Sequence, residues 1–204
     1  MANFVTNRIK FFGNKQIDDL VLEIEKRINE DMNKTKNMQD LSLVERIFYG
    51  RDRSDIEWSY ENIGGKWIHA TKDGWDGELV FITGWQPAFA FQDHLLKCAA
   101  TIDPKVVVRL DYDDEMPNFV GARYVLLDKG AVVSFHREFD TSDYNVVQEE
   151  EVDSIKEELR SQNEDDSKVI WWEDLWGYLN DQKYLSLTEM KSKFKYTNFI
   201  DDTY

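Results

Sequence analysis

The chain has 204 residues, of which 42% are hydrophobic and 14% are aromatic, so it can build a folded core and is not expected to be disordered throughout. Its net charge of −15 argues against a general nucleic-acid binder, which needs clustered lysine and arginine residues for phosphate contacts. A single cysteine, the absence of a signal-peptide pattern and the absence of a membrane-spanning apolar run together predict a cytoplasmic protein.

The chain opens with a strand pattern followed by a helix pattern. Residues 4–12 alternate in hydrophobicity and end at Gly13-Asn14, which is typical of a strand closed by a turn. Apolar residues spaced three and four apart then predict an amphipathic helix over residues 15–32. A short helix is expected around residues 41–49, and the other polar residues of 33–63 show no clear pattern.

The middle of the chain adds strands around a second helix. Strands 66–72 and 78–85 are joined by a glycine-bearing loop, and Pro87 suits the first turn of a helix that ends near residue 100. Strands 106–113, 118–127 and 131–139 follow. This order predicts an α+β fold, a ferredoxin-like split β-α-β sandwich with an added C-terminal β-hairpin, over residues 1–139.

The residues from Asp140 onward carry most of the negative charge, since 17 acidic and 7 basic residues give them −10 of the net −15. Helical patterns occur at 149–160 and 185–194, and an aromatic stripe with helical spacing lies within 170–179. We therefore expect residues 140–204 to form an acidic, Trp-rich helical extension.

Several short motifs resemble one known family. Gly64-Gly65-Lys66-Trp67 and Phe81-Ile82-Thr83-Gly84-Trp85-Gln86-Pro87 are similar to the strand motifs of the YubB ferredoxin-like domain family of bacteriophage and plasmid proteins. The opening residues 2–7 and the segment 118–121 resemble it as well, so the similarity covers about residues 2–135, with a poor match at 33–60. The resemblance implies a phage or mobile-element origin and a ferredoxin-like fold, and it implies no catalytic residues and no cofactor.

Four arginines on predicted strands are the candidate ligand-binding residues: Arg8, Arg109, Arg123 and Arg137. Helices cover one side of a ferredoxin-like sheet, and the alternation of strand 106–113 predicts that Arg109 lies on the other side with some of the other three. Clustered arginines there would suit a phosphate or carboxylate ligand. The acidic C-terminal segment is the alternative partner for the same arginines.

An aromatic cluster in the C-terminal third supplies the candidate partner-binding residues, Trp171, Trp172, Trp176 and Tyr178. One interpretation is that they dock on the first domain and cover its exposed sheet face. The other is a binding surface for a partner, because tryptophan and tyrosine contribute most of the energy at many interfaces. Both interpretations are compatible with a homo-oligomer.

Other residues give weaker patterns. Asp111, Asp113 and Asp114 could bind a divalent cation, although a solvated strand end is the commoner explanation. Cys98 shares a helix face with apolar residues and is expected to be a small buried residue. The three histidines lack metal-ligand spacing, and Gly64-Gly65-Lys66 precedes a strand as a turn would, so no metal, cofactor or catalytic residue is assigned.

Three functions follow, in order of preference. The first is a non-catalytic phage binding protein, a host-interaction or counter-defence factor that captures a host protein or a small anionic signalling molecule, without binding nucleic acid or membrane. The second is an acidic mimic of nucleic acid that blocks a host DNA- or RNA-binding protein, since residues 140–182 contain 14 acidic and 3 basic residues. The third is a metal-dependent or acid–base enzyme using Asp111, Asp113 and a histidine.

Overall fold

A computed structural model describes residues 3–34, 43–51, 55–71, 77–115, 118–147 and 149–194. Within these ranges the helices are α1 (Lys15–Lys34), α2 (Leu43–Tyr49), α3 (Ile56–Asn62), α4 (Phe89–Ala99), α5 (Val152–Ser161), α6 (Trp172–Gln182) and α7 (Leu187–Phe194). The strands are β1 (Phe4–Phe12), β2 (Ile68–Ala70), β3 (Glu78–Gly84), β4 (Val107–Asp114), β5 (Phe119–Asp128), β6 (Ala131–Asp140), β7 (Asn145–Val147) and β8 (Val169–Trp171).

Six strands form one antiparallel sheet in the order β2-β3-β1-β4-β5-β6. The first strand of the chain is central, since β1 pairs with β3 on one side and with β4 on the other. A second, two-stranded parallel sheet joins β7 to β8 within the C-terminal third. The α+β class expected from the sequence is therefore confirmed.

The main core lies between the sheet and helices α1, α2 and α4. Every second residue of β1 is buried there, from Val5 to Phe11, which is the alternation that the sequence shows. Helix α1 contributes Ile17, Val21 and Ile28 at helical spacing. None of the helices in the described ranges has the length and apolarity needed to cross a membrane.

The C-terminal third packs against the opposite face of the sheet. Leu185 is buried against Val107 and Tyr124, and Leu175 and Leu179 are buried against Val120. Both faces of strands β4 and β5 are thus covered, one by helices and one by the end of the chain. Whether the chain divides into two domains near Asp140 stays a prediction.

Some elements differ from the sequence prediction. Helix α3 was not predicted; it begins after Asp55, whose carboxylate caps the helix by accepting a hydrogen bond of 2.8 Å from the Trp58 amide. Strand β2 is three residues long, shorter than the expected 66–72. The helix expected at 185–194 begins at Leu187, where Ser186 and Glu189 form a reciprocal capping box.

Candidate functional site

Two of the predicted arginines lie side by side on the sheet face that α1 and α4 leave uncovered. Arg8 of β1 forms an ion pair with Asp113, and Arg109 of β4 binds Glu78 at 2.8 Å and Asp111 at 3.0 Å. All three carboxylates belong to the sheet itself. The positive charges that could attract an anionic ligand are therefore balanced by acidic residues of the same or neighbouring strands.

The segment between α6 and α7 closes over this charged group. The Tyr184 hydroxyl donates a hydrogen bond of 3.0 Å to Asp111, and the Arg109 guanidinium lies 4.7 Å from the centre of the Tyr184 ring. Lys183 is only 1% exposed, with its ammonium 3.9 Å from Asp111. Burial lowers the pKa of Lys183, and the nearby carboxylate of Asp111 opposes this shift.

Arg137 of β6 also holds the C-terminal segment. Its guanidinium donates hydrogen bonds to the carbonyl oxygens of Gln182 (2.8 Å) and Tyr184 (3.2 Å), and it forms an ion pair of 2.9 Å with Glu189. Arg137 and Arg109 thus fasten the chain's own acidic segment to the sheet. This is the intramolecular pairing that the sequence offered as the alternative to a ligand.

Arg123 lies apart from the other three arginines, on the helix-covered face. Its guanidinium donates to the carbonyl of Phe89, the side-chain oxygen of Gln92 and the carboxylate of Asp93, at 3.2, 2.9 and 2.8 Å. These contacts fix the position of α4 on β5. Ligand binding by the four arginines stays a prediction, and the structure brings three of them to one face.

The aromatic cluster of the C-terminal third divides between buried and exposed positions. Trp171 belongs to β8 and is half-buried, as is Trp176, which packs with Leu175 and Leu179 on the sheet. Tyr178 is 53% exposed on the outer side of α6. The side chain of Trp172 lies outside the described part of the structure.

The outer side of α6 is acidic around this tyrosine. Glu173, Asp174 and Asp181 are exposed there with Tyr178. We define these four residues as the α6 surface. An exposed aromatic ring among carboxylates is suited to bind a protein surface that presents lysine or arginine side chains.

The carboxylates considered for a cation have other partners. Asp111 and Asp113 pair with arginines, and Asp114 accepts hydrogen bonds from the side-chain amides of Asn3 (2.7 Å) and Asn118 (2.6 Å). In the described ranges, no three His, Cys, Asp or Glu residues lie together in a group that could hold a metal ion. Asp111, Asp113 and Asp114 are therefore each engaged by other side chains of the chain itself.

Residues of the family-like motifs meet in the turn between β3 and α4. The Asn7 amide donates to the Thr83 hydroxyl (2.8 Å), which donates to the Gln86 carbonyl (2.6 Å), and Asn7 accepts from the Ala88 amide (2.8 Å). Gly64, at φ 102°, packs against the same turn, where an added Cβ would lie 2.9 Å from the Pro87 carbonyl. Gly64, Gly65 and Lys66 lie in the connection between α3 and β2. A strand follows them and not a helix, which agrees with a structural turn.

One polar contact was not foreseen from the sequence. The Tyr112 hydroxyl of β4 donates a hydrogen bond of 2.6 Å to Glu138 of β6 and also contacts Nε2 of His136. It reaches β6 by crossing Gly121 on the intervening strand, where any side chain would collide with the tyrosine ring. Three separate strands contribute, so no local sequence pattern could have indicated this cluster.

The expectation for Cys98 was wrong. Cys98 is exposed near the end of α4, where its sulfur lies 3.7 Å from Nε2 of His94. The helical spacing of Phe91, Leu95 and Cys98 suggested one buried stripe, but the core contacts end with Leu95, Leu96 and Ala99.

A comparison of the chain with protein-family models, with curated proteins and with solved structures finds no match.

Proposed function

We propose that the chain is a non-catalytic binding protein of a bacteriophage, a host-interaction or counter-defence factor that captures a host protein in the cytoplasm. The orientation of the C-terminal third is the observation that carries this proposal. Leu175, Leu179 and Leu185 face the sheet, while the α6 surface with Tyr178 faces outward. A segment fastened in this way presents its aromatic and acidic residues with little loss of conformational entropy on binding.

The phage origin in this proposal rests on the resemblance to the YubB ferredoxin-like family. The strand order β2-β3-β1-β4, with α1 and α4 as the connecting helices, supports a ferredoxin-like core, and β5 and β6 then add a hairpin beside β4. The hydrogen bond between the side chains of Asn7 and Thr83 also gives these two motif residues a structural role.

A small anionic ligand is less favoured as the target than a protein. Such a ligand would have to displace Glu78 and Asp111 from Arg109, or Glu189 from Arg137. It would also have to compete with the Tyr184 ring that lies over Arg109. Binding of a protein at the α6 surface requires none of these contacts to break.

Nucleic-acid mimicry is the second candidate, favoured by the exposed carboxylates around α5. Glu149, Glu150, Glu151, Glu157 and Glu158 are all exposed. A basic host protein could bind this wider surface through long-range attraction, which salt would weaken strongly. The two candidates therefore predict different surfaces for the same class of partner.

Affinity capture from bacterial lysate with variants of the full-length chain tests the proposal. The α6 surface is altered by Tyr178→Ala and by the pair Glu173→Gln and Asp174→Asn. The matched controls are Tyr60→Ala, which removes another exposed tyrosine, and the pair Glu157→Gln and Glu158→Gln on α5. Full-length variants are required because a chain that ends before α6 would expose the apolar face of the sheet.

A partner that is lost with both α6 variants and retained with both controls supports the proposal. Equal weakening by the α6 and α5 charge changes, with binding abolished by moderate salt, favours mimicry. Capture that neither set of variants alters, or no capture by the unmodified chain, contradicts a binding role for the α6 surface.

A further inference from the structure

A cavity of about 240 Å³ opens between α1, α2 and α4, on the side of the sheet opposite the C-terminal segment. Six apolar side chains form its floor and walls: Phe11, Leu20, Ile24, Ile47, Phe48 and Leu95. Three of the walls are helices packed on one core, so regular elements of the folded body form this cavity, which is partly open to solvent.

The volume limits the part of a ligand that the cavity could enclose. Cavities of about 150 Å³ with Leu, Ile and Phe walls bind benzene, whereas sites for drug-sized ligands begin near 300 Å³. The present cavity lies between these sizes. It therefore fits one aromatic ring with a short substituent.

The rim of the cavity carries four polar or reactive side chains, namely Glu23, Arg27, His94 and Cys98. His94 is held in place by its contact with the Phe48 carbonyl (3.2 Å) and by stacking on Tyr49 (4.2 Å between ring centres). Partial burial lowers the pKa of His94, and partial desolvation beside the cavity raises the pKa of the otherwise exposed Cys98 thiol. At neutral pH both groups are therefore uncharged, and the thiol is a weak nucleophile.

Arg27 is the cation at this rim. Among the described residues it forms no ion pair, in contrast to Lys26 beside it, whose ammonium lies 4.0 Å from Glu30. An arginine without a carboxylate partner, next to an apolar cavity, matches a ligand with an apolar body and an anionic end. Glu23 on the same rim disfavours a ligand with a second negative charge.

We propose that this cavity binds a small aromatic monocarboxylate, with the ring between Ile24 and Phe48 and the carboxylate at Arg27. Binding is non-covalent. The site is separate from the α6 surface and does not depend on the protein-capture function, so the two proposals can fail independently.

The single cysteine of the chain makes this proposal directly measurable. Phenylacetate is the probe, and the full-length chain is titrated with it while amide resonances are followed by NMR. In parallel, the rate of Cys98 alkylation by iodoacetamide is measured with and without phenylacetate. We expect saturable shifts at the cavity residues and slower alkylation of Cys98 at the same phenylacetate concentrations.

Two pairs of variants locate the ligand. Ile24→Trp should fill the cavity and abolish both effects, whereas Leu22→Trp, at a position 62% exposed on the same helix, should leave them unchanged. Arg27→Gln should weaken phenylacetate about tenfold, the value of one charge-assisted contact of about 1.4 kcal/mol, whereas Lys26→Gln should not. Retained amide dispersion shows that each variant is folded.

Three results would overturn the proposal. One is the absence of saturable shifts in the unmodified chain, and another is unchanged protection of Cys98 in Ile24→Trp. The third is equal affinity for phenylacetate and for uncharged phenylacetamide, which would contradict the role given to Arg27.

Discussion

The tyrosine that crosses the sheet makes Gly121→Ala the most informative single substitution. A Cβ atom at position 121 would lie 2.5 Å from Cζ of Tyr112 and 2.8 Å from the Arg137 carbonyl, distances at which atoms repel strongly. Tyr112 is fully buried, and its ring packs edge-on against Phe89 and Phe119. The ring therefore has no free space into which it could move.

The expected loss of stability combines three contributions. Overpacking of a close-packed core costs about 1–3 kcal/mol. Displacement of the hydroxyl from Glu138 adds about 1.5–3 kcal/mol, as is typical of a hydrogen bond to a charged group. Alanine also lowers the conformational entropy of the unfolded chain, which stabilises the folded state by about 0.4–1 kcal/mol and partly offsets these losses. Gly121→Ala should thus lower the free energy of unfolding by about 2–5 kcal/mol.

Urea unfolding followed by tryptophan fluorescence measures this loss. Gly177→Ala is the matched control, because nothing lies within 4 Å of the added Cβ and Gly177 is inside α6, so it should stabilise the chain by about 0.5–1 kcal/mol. Combining Gly121→Ala with Tyr112→Leu should remove most of the additional cost of the alanine. Unchanged stability of Gly121→Ala, or strict additivity in the double variant, would refute the reasoning.

Three further predictions concern the docked segment and the buried tyrosines. Leu185→Ala should lower the free energy of unfolding by about 2–5 kcal/mol in urea titrations, because it leaves a cavity at a buried position on the sheet. A loss below about 1 kcal/mol would contradict the packing of Leu185 against the sheet. Lys183→Met should leave the free energy of unfolding unchanged or raise it by up to about 2 kcal/mol. It removes a desolvated charge, while Asp111 retains its contacts with Arg109 and Tyr184. A clear loss of stability would mean that the Lys183 ammonium is needed. Burial raises the pKa of Tyr112 and of Tyr184 above the ordinary value of 10.0, so their contribution to stability is present below pH 10 and is lost as the pH rises further. Phenolate absorbance of these tyrosines should therefore appear together with unfolding, and titration of all tyrosines near pH 10 in a folded chain would contradict their burial.

The sequence predicted the strongly periodic elements well, for a physical reason. Strand β1 and helix α1 each have one apolar and one polar side, so the period of hydrophobicity identifies them directly. Helix α3 has no such stripe over its seven residues, and only the capping residue Asp55 marked its start. Strands β7 and β8 are three residues each, too short for any alternation to be recognised.

The candidate site was predictable only in part. In β4, alternation placed Val108, Leu110 and Tyr112 on the helix-covered face, and this placed Arg109 correctly on the other. In β5 the same reasoning fails for Arg123, because the C-terminal segment buries the second face and leaves apolar residues on both sides. The partners of the arginines depend on pairing between distant strands, which a single sequence does not reveal.

The central position of β1 also has a consequence for synthesis of the chain. Its first residues pair with β4, so that Val5 lies opposite Asp114, more than 100 residues later. Because the ribosome adds about 5–20 residues per second, β4 is synthesised several seconds after β1. Closing so long a loop is entropically unfavourable, which favours late and slow completion of the sheet. During this interval Val5 and Ile9, which are buried in the folded chain, remain exposed to solvent. Strand β1 is therefore the segment that a chaperone would be expected to shield.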